Sequence, residues 1–545
     1  MPYRSSFLDV RTARDDIACI LLHASCQDLN DKRNRFVPRS SLVSLLNHEK
    51  VSSLLDASLT FNQADIADVA RSISPSDEEK CPCGDSLCTG LRIIFATLLL
   101  LGKQEVILEI HQSSEDICDG AWPCSDSALA NYHTRAAEAL REILRSLTTH
   151  DEELFHQLQW QMRSPYFKKL VPTPNEQSYR ELHDEVTLPW AEISMQGEIL
   201  DGQVSFMQRI KIHQDHHELL DQTQNGCFAL KILDKGHTIA AAEESFKDEI
   251  AANKRTTHPR ITPLLAAFKH RDRFYLLFPW ADGGSLFDLW KKNELYLDNT
   301  DNCHPSWYSV RWMIEQCYYI ADALATVHGY DSHEGGHSSE AQLHLDIKPE
   351  NIVCFEKSQH GSVSYDLMLT DFGLSKPFDR TSPLRPRQIA ETKTYRPPER
   401  DLEGPRVDEM CDIWCLGCLF LDFITWGIEG WSGVERFCVS RLRETDEVDV
   451  DPEFSPVLED TFFKKRVQRW KWWWPRRFSR AIVADLKPSV ISVSAPKHRM
   501  TCGSTQPSIA EEYSVSAVPT SPRPCKMYKR IGEIPQSRSV KNAGH

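Results

Sequence analysis

The sequence predicts an α+β chain in which a mainly α-helical region leads, a strand-rich stretch follows, and a helix-rich stretch comes after it. Three observations predict this. Apolar residues recur at helical spacing as far as about residue 185. From Val186 onward, short apolar runs bounded by turn residues replace that pattern. Trp307 to His328 then returns to a long amphipathic helical run. At 545 residues the chain exceeds one compact core, and about 150 residues per domain suggests three or so units.

Within residues 1–185, Asp15 to Leu22 and Ser41 to Leu46 place apolar residues on one helical face, and Ala136 to Leu147 adds good helix formers. Ile93 to Leu101 is the most hydrophobic run. It falls short of the ~20 residues that a spanning helix needs, and Arg92 and Lys103 flank it. Met1 to Asp16 carries charges early and has no apolar core of signal-peptide type. These features predict no membrane anchor. The 17 cysteines are odd in number and scattered among apolar stretches, which fits reduced thiols in a cytoplasmic or nuclear protein. The net charge of −15, from 78 acidic and 63 basic residues, suits a soluble chain and argues against nucleic acid as a general partner. Ser74 to Cys88 reads as a loop and holds Cys81, Cys83 and Cys88. A zinc site is the sharper reading of that loop. Its spacing is not C-x-x-C and no His stands at ligand distance, so ordinary thiols are favoured.

In the strand-rich stretch, Cys227 to Leu233 is an apolar run interrupted by Lys231. An unpaired buried ammonium is expensive, so Lys231 needs a counter-charge. Phe246-Lys247-Asp248-Glu249-Ile250 opens a helical segment downstream. Glu249 is the best partner there, with Asp248 the alternative if the helix is rotated by one residue. Phe274 to Phe278 is a second strand and leads into the connector Pro279 to Gly284. Gly329 to Gln342 is a polar loop, and His328, His333, His337 and His344 within or near it could suggest a metal site, but the Gly spacing gives no rigid frame and the solvated-loop reading is favoured. Ser504 to His545 is Ser- and Pro-rich and predicts a disordered tail.

His344-Leu345-Asp346-Ile347-Lys348-Pro349-Glu350-Asn351, with Asp371-Phe372-Gly373 downstream, carries the chemistry. These residues supply two carboxylates, an amide and an ammonium in the order that phosphoryl transfer requires. Asp346 can orient a hydroxyl and accept its proton, and Lys348 can steady the transferred group. Asn351 and Asp371 can hold metal ions. Each piece alone is weak; two in this order and at this separation are specific. Phe228-Ala229-Leu230-Lys231 is close to V-A-I-K, whose Lys pairs with the nucleotide phosphates.

On these motifs, residues from about 187 to 503 resemble the eukaryotic protein kinase family, Ser/Thr type. The resemblance implies a two-lobed protein kinase fold, with a small β-rich N-lobe and a helical C-lobe, after the helical region. It implies ATP and Mg²⁺ as cofactors, and transfer of the γ-phosphoryl group to a hydroxyl of a protein substrate that the sequence does not identify. Lys231 with Glu249 would place the phosphates. Phe278 would guard the back of the nucleotide pocket, and Pro279, Trp280 and Ala281 would line the adenine. Thr392 to Glu399 matches the end of an activation segment, with Pro397 where A-P-E has Ala. Asp412 would hold the catalytic loop's backbone, and Arg499 would pair with Glu399. Phe278 to Gly283 and the helical extension also look like a kinase-like group common in filamentous ascomycete fungi.

The sequence departs from the family pattern in three places. Leu200-Asp201-Gly202-Gln203-Val204-Ser205 stands where G-x-G-x-x-G belongs, and only Gly202 remains to let backbone amides approach the phosphates. Leu345 replaces the Arg of H-R-D, which removes the cation that grips an activation-loop phosphate on Thr381, Ser382 or Thr392. Between Phe462 and Arg499 the C-lobe looks short, and Lys464 to Arg477 forms a basic, tryptophan-rich cluster that reads as a lobe surface ahead of a nucleic-acid or lipid site. The competing class is therefore a pseudokinase or scaffold that keeps the fold without efficient turnover.

Overall fold

The computed structural model describes residues 16–21, 23–27, 35–57, 63–75, 81, 88–113, 115–120, 131–169, 179–195, 205–223, 225–233, 238–292, 309–330, 341–359, 362–379, 394–398, 407–443, 460–462, 464–467 and 482–485. The chain divides into two units, Met1–Asp282 and Gly283–His545.

The first unit begins with helices α1 (Arg39–Leu45), α2 (His48–Ala57), α3 (Gln63–Ile73), α4 (Arg92–Leu101), α5 (Ile107–His111), α6 (Asn131–Leu144) and α7 (Thr149–Met162). Helix α4 is apolar all round because it is the core element, with Ile94, Phe95, Ala96, Leu98 and Leu99 buried. Its one buried charge, Arg92, donates to the Leu46 carbonyl at 3.2 Å and to Ser74 Oγ at 2.6 Å. Asp119 caps the helix: its carboxylate accepts from Ile93 N at 2.8 Å and Ile94 N at 3.1 Å. Gly102 ends it in the left-handed conformation, φ 71°.

A six-stranded sheet follows. Its strands are β3 (Arg180–Glu181), β4 (Trp190–Met195), β5 (Ser205–Ile212), β6 (Phe228–Leu233), β7 (Ala266–His270) and β8 (Arg273–Pro279), after a short pair β1 (Cys26–Gln27) and β2 (Arg35–Phe36). The sheet order is β3-β7-β8-β6-β5-β4, antiparallel except for the β3–β7 pair. One face packs against helix α8 (Ile239–Arg255) through Phe246, Ile250, Phe274 and Phe278. The other face buries Trp190, Phe228, Phe268 and Leu277 together with Phe167 and Leu182, which precede β4. Elements on both sides of residue 186 thus share one core.

The second unit contains helices α9 (Leu286–Lys292), α10 (Val310–Val327) and α11 (Glu409–Arg443), with strand pairs β9 (Gln342–Leu343) with β12 (Lys376–Pro377) and β10 (Ile352–Gln359) with β11 (Ser362–Leu369). A backbone hairpin β13 (Lys464–Val467) with β14 (Ile482–Asp485) completes it. Ser309 caps α10 by accepting from Trp312 N at 3.1 Å. Trp290, Phe423 and Trp426 stack in the core, where Trp426 Nε1 donates to the Trp290 carbonyl at 3.2 Å.

Helix α11 is long and apolar enough to cross a membrane by length and composition. It is broken at Gly430 (φ 67°, ψ −169°) and buries Asp412, Asp422 and Arg441 against partners inside the unit, as a core helix does. Of this helix the sequence singled out only Asp412, through the resemblance.

One expectation is corrected. His328 and His344 are not solvated: both are buried, His328 Nε2 bonds Asp412 Oδ2 at 2.9 Å, and His344 Nε2 donates to the Thr370 carbonyl at 3.2 Å. The polar segment beside them hid this, because their partners lie far along the chain. His333, His337, the tail 504–545 and Trp470 to Arg477 lie outside the described residues.

Candidate active site

Each unit carries its own group of the residues singled out in the sequence. In the first unit Lys231 sits on the central strand β6, paired with Met207 on β5 and Leu276 on β8. Its Nζ donates to Glu249 Oε1 at 2.7 Å, with both side chains buried. Helical phase decides this pairing. Ala242, Phe246, Glu249 and Ile250 recur on the face that α8 turns to the sheet, whereas Asp248 is exposed. Thr238 fixes the helix start by accepting from Ala241 N at 3.2 Å.

Phe278 is buried beside Phe274 and Leu276 in the core under α8. The chain leaves the sheet at Pro279, and Trp280 N donates to the Cys227 carbonyl at 3.3 Å. The Arg209 guanidinium lies over the Trp280 ring at 5.7 Å, and Ala281 is half-buried. Gly202 and Leu200 lie outside the described residues.

In the second unit Asp346, Lys348 and Asn351 form one hydrogen-bonded set. Lys348 Nζ donates to Asp346 Oδ2 at 2.7 Å. Asn351 Nδ2 donates to the same Oδ2 and to the Asp346 carbonyl, both at 2.8 Å. The Asn351 amide is thereby oriented with Oδ1 as the acceptor on offer to a cation, and Thr370 N donates to the Asn351 carbonyl at 3.0 Å.

The backbone that presents this set is held from beneath. Asp412, fully buried on α11, accepts from His344 N through Oδ2 and Leu345 N through Oδ1, each at 2.8 Å, and bonds His328 besides. These bonds hold Leu345 in the left-handed region, φ 66°, where a side chain with a Cβ is strained. The Leu345 side chain packs against the apolar cluster of Ala341, Leu343, Phe378, Val407 and Cys411. Burial pushes the His344 imidazole below its ordinary range, so its ring stays neutral, accepting from Asp346 N and donating to Thr370 O.

Asp371 also has positive φ, 66°, and its Oδ1 accepts from Gly373 N at 3.2 Å. Phe372 is buried against the His344 ring, centroids 5.0 Å apart. The structure brings together Asp346, Lys348, Asn351 and Asp412 in this unit, and Lys231 with Glu249 in the other. Thr392, Glu399 and Arg499 lie outside the described residues.

The sequence did not signal a buried network beside this set. Arg441 Nη1 donates to Asp422 Oδ1 at 3.1 Å and Nε to Asp460 Oδ1 at 2.7 Å, while Tyr395 OH donates to Asp422 Oδ2 at 2.8 Å. The Arg441 guanidinium also lies over the rings of Phe437 and Phe462, at 4.4 and 4.1 Å. Burial raises the Asp422 carboxyl, and the Arg441 charge works against that rise. No spacing rule links these residues, so only the fold reveals them.

Comparison with known proteins gives the same family. Residues 217–435 match the model of the protein kinase domain. Aurora kinase B of Xenopus tropicalis is 29% identical over 243 residues, covering 44% of this chain and 56% of that protein. Aurora kinase B-A of Xenopus laevis is 30% identical over 235 residues, 43% of this chain and 54% of that protein. Calcium/calmodulin-dependent protein kinase type 1 of Macrobrachium nipponense is 26% identical over 191 residues, 35% of this chain and 46% of that protein. The chain spans about half the length of the curated relatives it matches. With a strand-borne lysine paired to a helical glutamate, and with the segment of Asp346, Lys348 and Asn351 held on a buried aspartate, residues 217–435 have the features of the protein kinase domain whose model they match.

Proposed function

We propose that this chain is an ATP-dependent Ser/Thr protein kinase that transfers the γ-phosphoryl group of ATP to a protein hydroxyl. The hydrogen-bonded set of Asp346, Lys348 and Asn351 carries this reading. Asp346 orients the acceptor hydroxyl and takes its proton, and Lys348, already on the Asp346 carboxylate, is at hand for the transferring group's charge. Lys231, aligned by Glu249, pairs with the α- and β-phosphates. The donor set fits magnesium: Asp371 and the Asn351 Oδ1 are hard oxygen ligands of the kind it takes. Bound Mg²⁺ would supply charge neutralisation on the phosphate oxygens. Phe278, Pro279, Trp280 and Ala281 are the residues for the adenine side, and Gly202 is the remaining glycine for the phosphate loop.

The packing of Leu345 into an apolar cluster supports control that does not depend on an arginine grip on an activation-loop phosphate. Buried thiols such as Cys227, Cys354, Cys411 and Cys438 support a cytoplasmic or nuclear setting. The glycine-poor stretch from Leu200 to Ser205 favours a second reading, a pseudokinase or scaffold with weak or absent transfer. One experiment separates the two. Mg²⁺-ATP binding by thermal shift and autophosphorylation are measured on the same preparation, with Asp371→Asn and Lys231→Met beside it. Transfer that both substitutions abolish supports the enzyme. Binding without transfer supports the second reading, and transfer equal in all three proteins removes the assignment of the site.

A further inference from the structure

The geometry points to a structural zinc ion held by Cys81, Cys88 and Cys118 in the helical region of the first unit. In sequence, Cys118 stands 30 residues beyond Cys88 and outside the loop that first drew attention. In the fold the three Sγ atoms lie within 4.8 Å of one another. Tetrahedral zinc with Zn–S of about 2.3 Å places its sulfurs about 3.8 Å apart, so this cluster needs little movement to close on the ion.

The donor set selects the metal. Asp119, the carboxylate next to Cys118 in the chain, is committed to capping α4, where it accepts from Ile93 N, Ile94 N and Thr89 Oγ1. That leaves thiolates, which suit zinc and exclude magnesium or calcium. A structural zinc takes four ligands, of which the described residues supply three. Binding releases the thiol protons as the thiolates coordinate.

The frame around the thiols is rigid. Asp119 N donates to the Gly90 carbonyl at 2.6 Å, which ties the segment after Cys88 to the segment after Cys118. Leu91 N donates to the Ser72 carbonyl at 3.0 Å, and Arg163 Nη2 to the Asp119 carbonyl at 2.9 Å. Gly90 is left-handed, φ 78°, and a Cβ there would meet Ser72 O at 2.5 Å. The Arg163 guanidinium, held on the Asp119 carbonyl, is a cation beside this segment. That cation offsets the excess negative charge of several thiolates around one dication. Such a site would staple the loop before α4 to the turn after α5, adding a cross-link to the helical core.

The test uses the full chain, purified under reducing conditions without chelator from cells grown with added zinc. Mass spectrometry of bound metal is expected to find about one zinc per chain. Cys88→Ser and Cys118→Ser are each expected to lose at least about ninety per cent of it, whereas Cys19→Ser, at an exposed thiol, keeps it. Because a serine variant can misfold, the unmutated chain is also alkylated with iodoacetamide. Cys81, Cys88 and Cys118 should be protected until a zinc chelator is added, and Cys19 should react throughout. A chain that neither carries zinc nor takes it up on titration with zinc chloride overturns the proposal. So does zinc that both serine variants retain, or a disulfide among the three cysteines under non-reducing peptide mapping.

Discussion

Asp412→Ala tests how the segment that carries Asp346, Lys348 and Asn351 is held. Asp412 is wholly buried and bonds three partners: His344 N, Leu345 N and the His328 ring. A hydrogen bond to a charged group is worth about 1.5–3 kcal/mol, and a buried donor left without an acceptor costs about 1–3 kcal/mol. These terms overlap, and breaking a buried charged network by removing one partner costs about 3–5 kcal/mol, which is the loss expected here. The left-handed conformation of Leu345, which itself costs about 1–2 kcal/mol, would no longer be held, so the loop should relax. Asp412→Asn retains one acceptor oxygen but turns an NH₂ toward a backbone N–H, so about half that loss is expected. The assay is urea unfolding followed by tryptophan fluorescence, with amide exchange read on the peptide spanning 343–347. A change below about 1 kcal/mol for the alanine variant, with exchange at His344 and Leu345 unaltered, would refute the account.

Other perturbations probe the rest of the molecule. Arg441→Leu strands Asp422 and Asp460 and should cost about 3–5 kcal/mol, and adding Asp422→Asn should recover part of it; additive losses in the urea midpoint would argue against a coupled network. Burial pushes His216 and His270 down to about 4, so the stability their neutral forms contribute is full above the unfolded value of about 6.5 and lost as pH falls toward 4. Asp119, raised by burial to about 6, runs the other way: its contribution is present below about 3.9 and lost as pH rises through 6. His270→Gln should therefore flatten the pH dependence of the urea midpoint between 6.5 and 4 by up to about 3 kcal/mol, and parallel curves for the two proteins would contradict this. Gly90→Ala forces a Cβ into a left-handed position against Ser72 O and should cost about 2 kcal/mol or more in thermal or urea unfolding; a loss under about 0.5 kcal/mol would show the turn to be soft. Asp substitutions at Thr381 and Ser382 should change kinase activity little, since Leu345 supplies no cation, and a large activation would sink that idea.

Several local features were legible because neighbours in sequence create them. Strand β6 was visible as an apolar run with one lysine, and α10 as an amphipathic run, since alternation and helical period are properties of adjacent residues. The set Asp346, Lys348 and Asn351 was visible because six residues of chain carry it and their hydrogen bonds close within that span. For the Lys231 partner the chain offered two adjacent acids, and the phase of α8 against the sheet put Glu249 inside and Asp248 outside. His328 and His344 were misread because the polar loop between them was weighed and the distant Asp412 was not.

The sequence by itself determined the resemblance to the protein kinase domain over residues 217–435 and the order of the chemical groups there, because those groups are encoded as short contiguous motifs whose residue types have few other uses. Tertiary structure alone decided which residues support them. Asp412 lies 67 residues from Leu345, Arg441 lies 19 residues from both Asp422 and Asp460, and Cys118 joins Cys81 and Cys88 across helices α4 and α5. Such pairings arise when apolar burial brings distant segments together, and buried polar groups must then find partners or destabilise the fold. No periodicity along the chain encodes that requirement, so it becomes visible only once the core is packed.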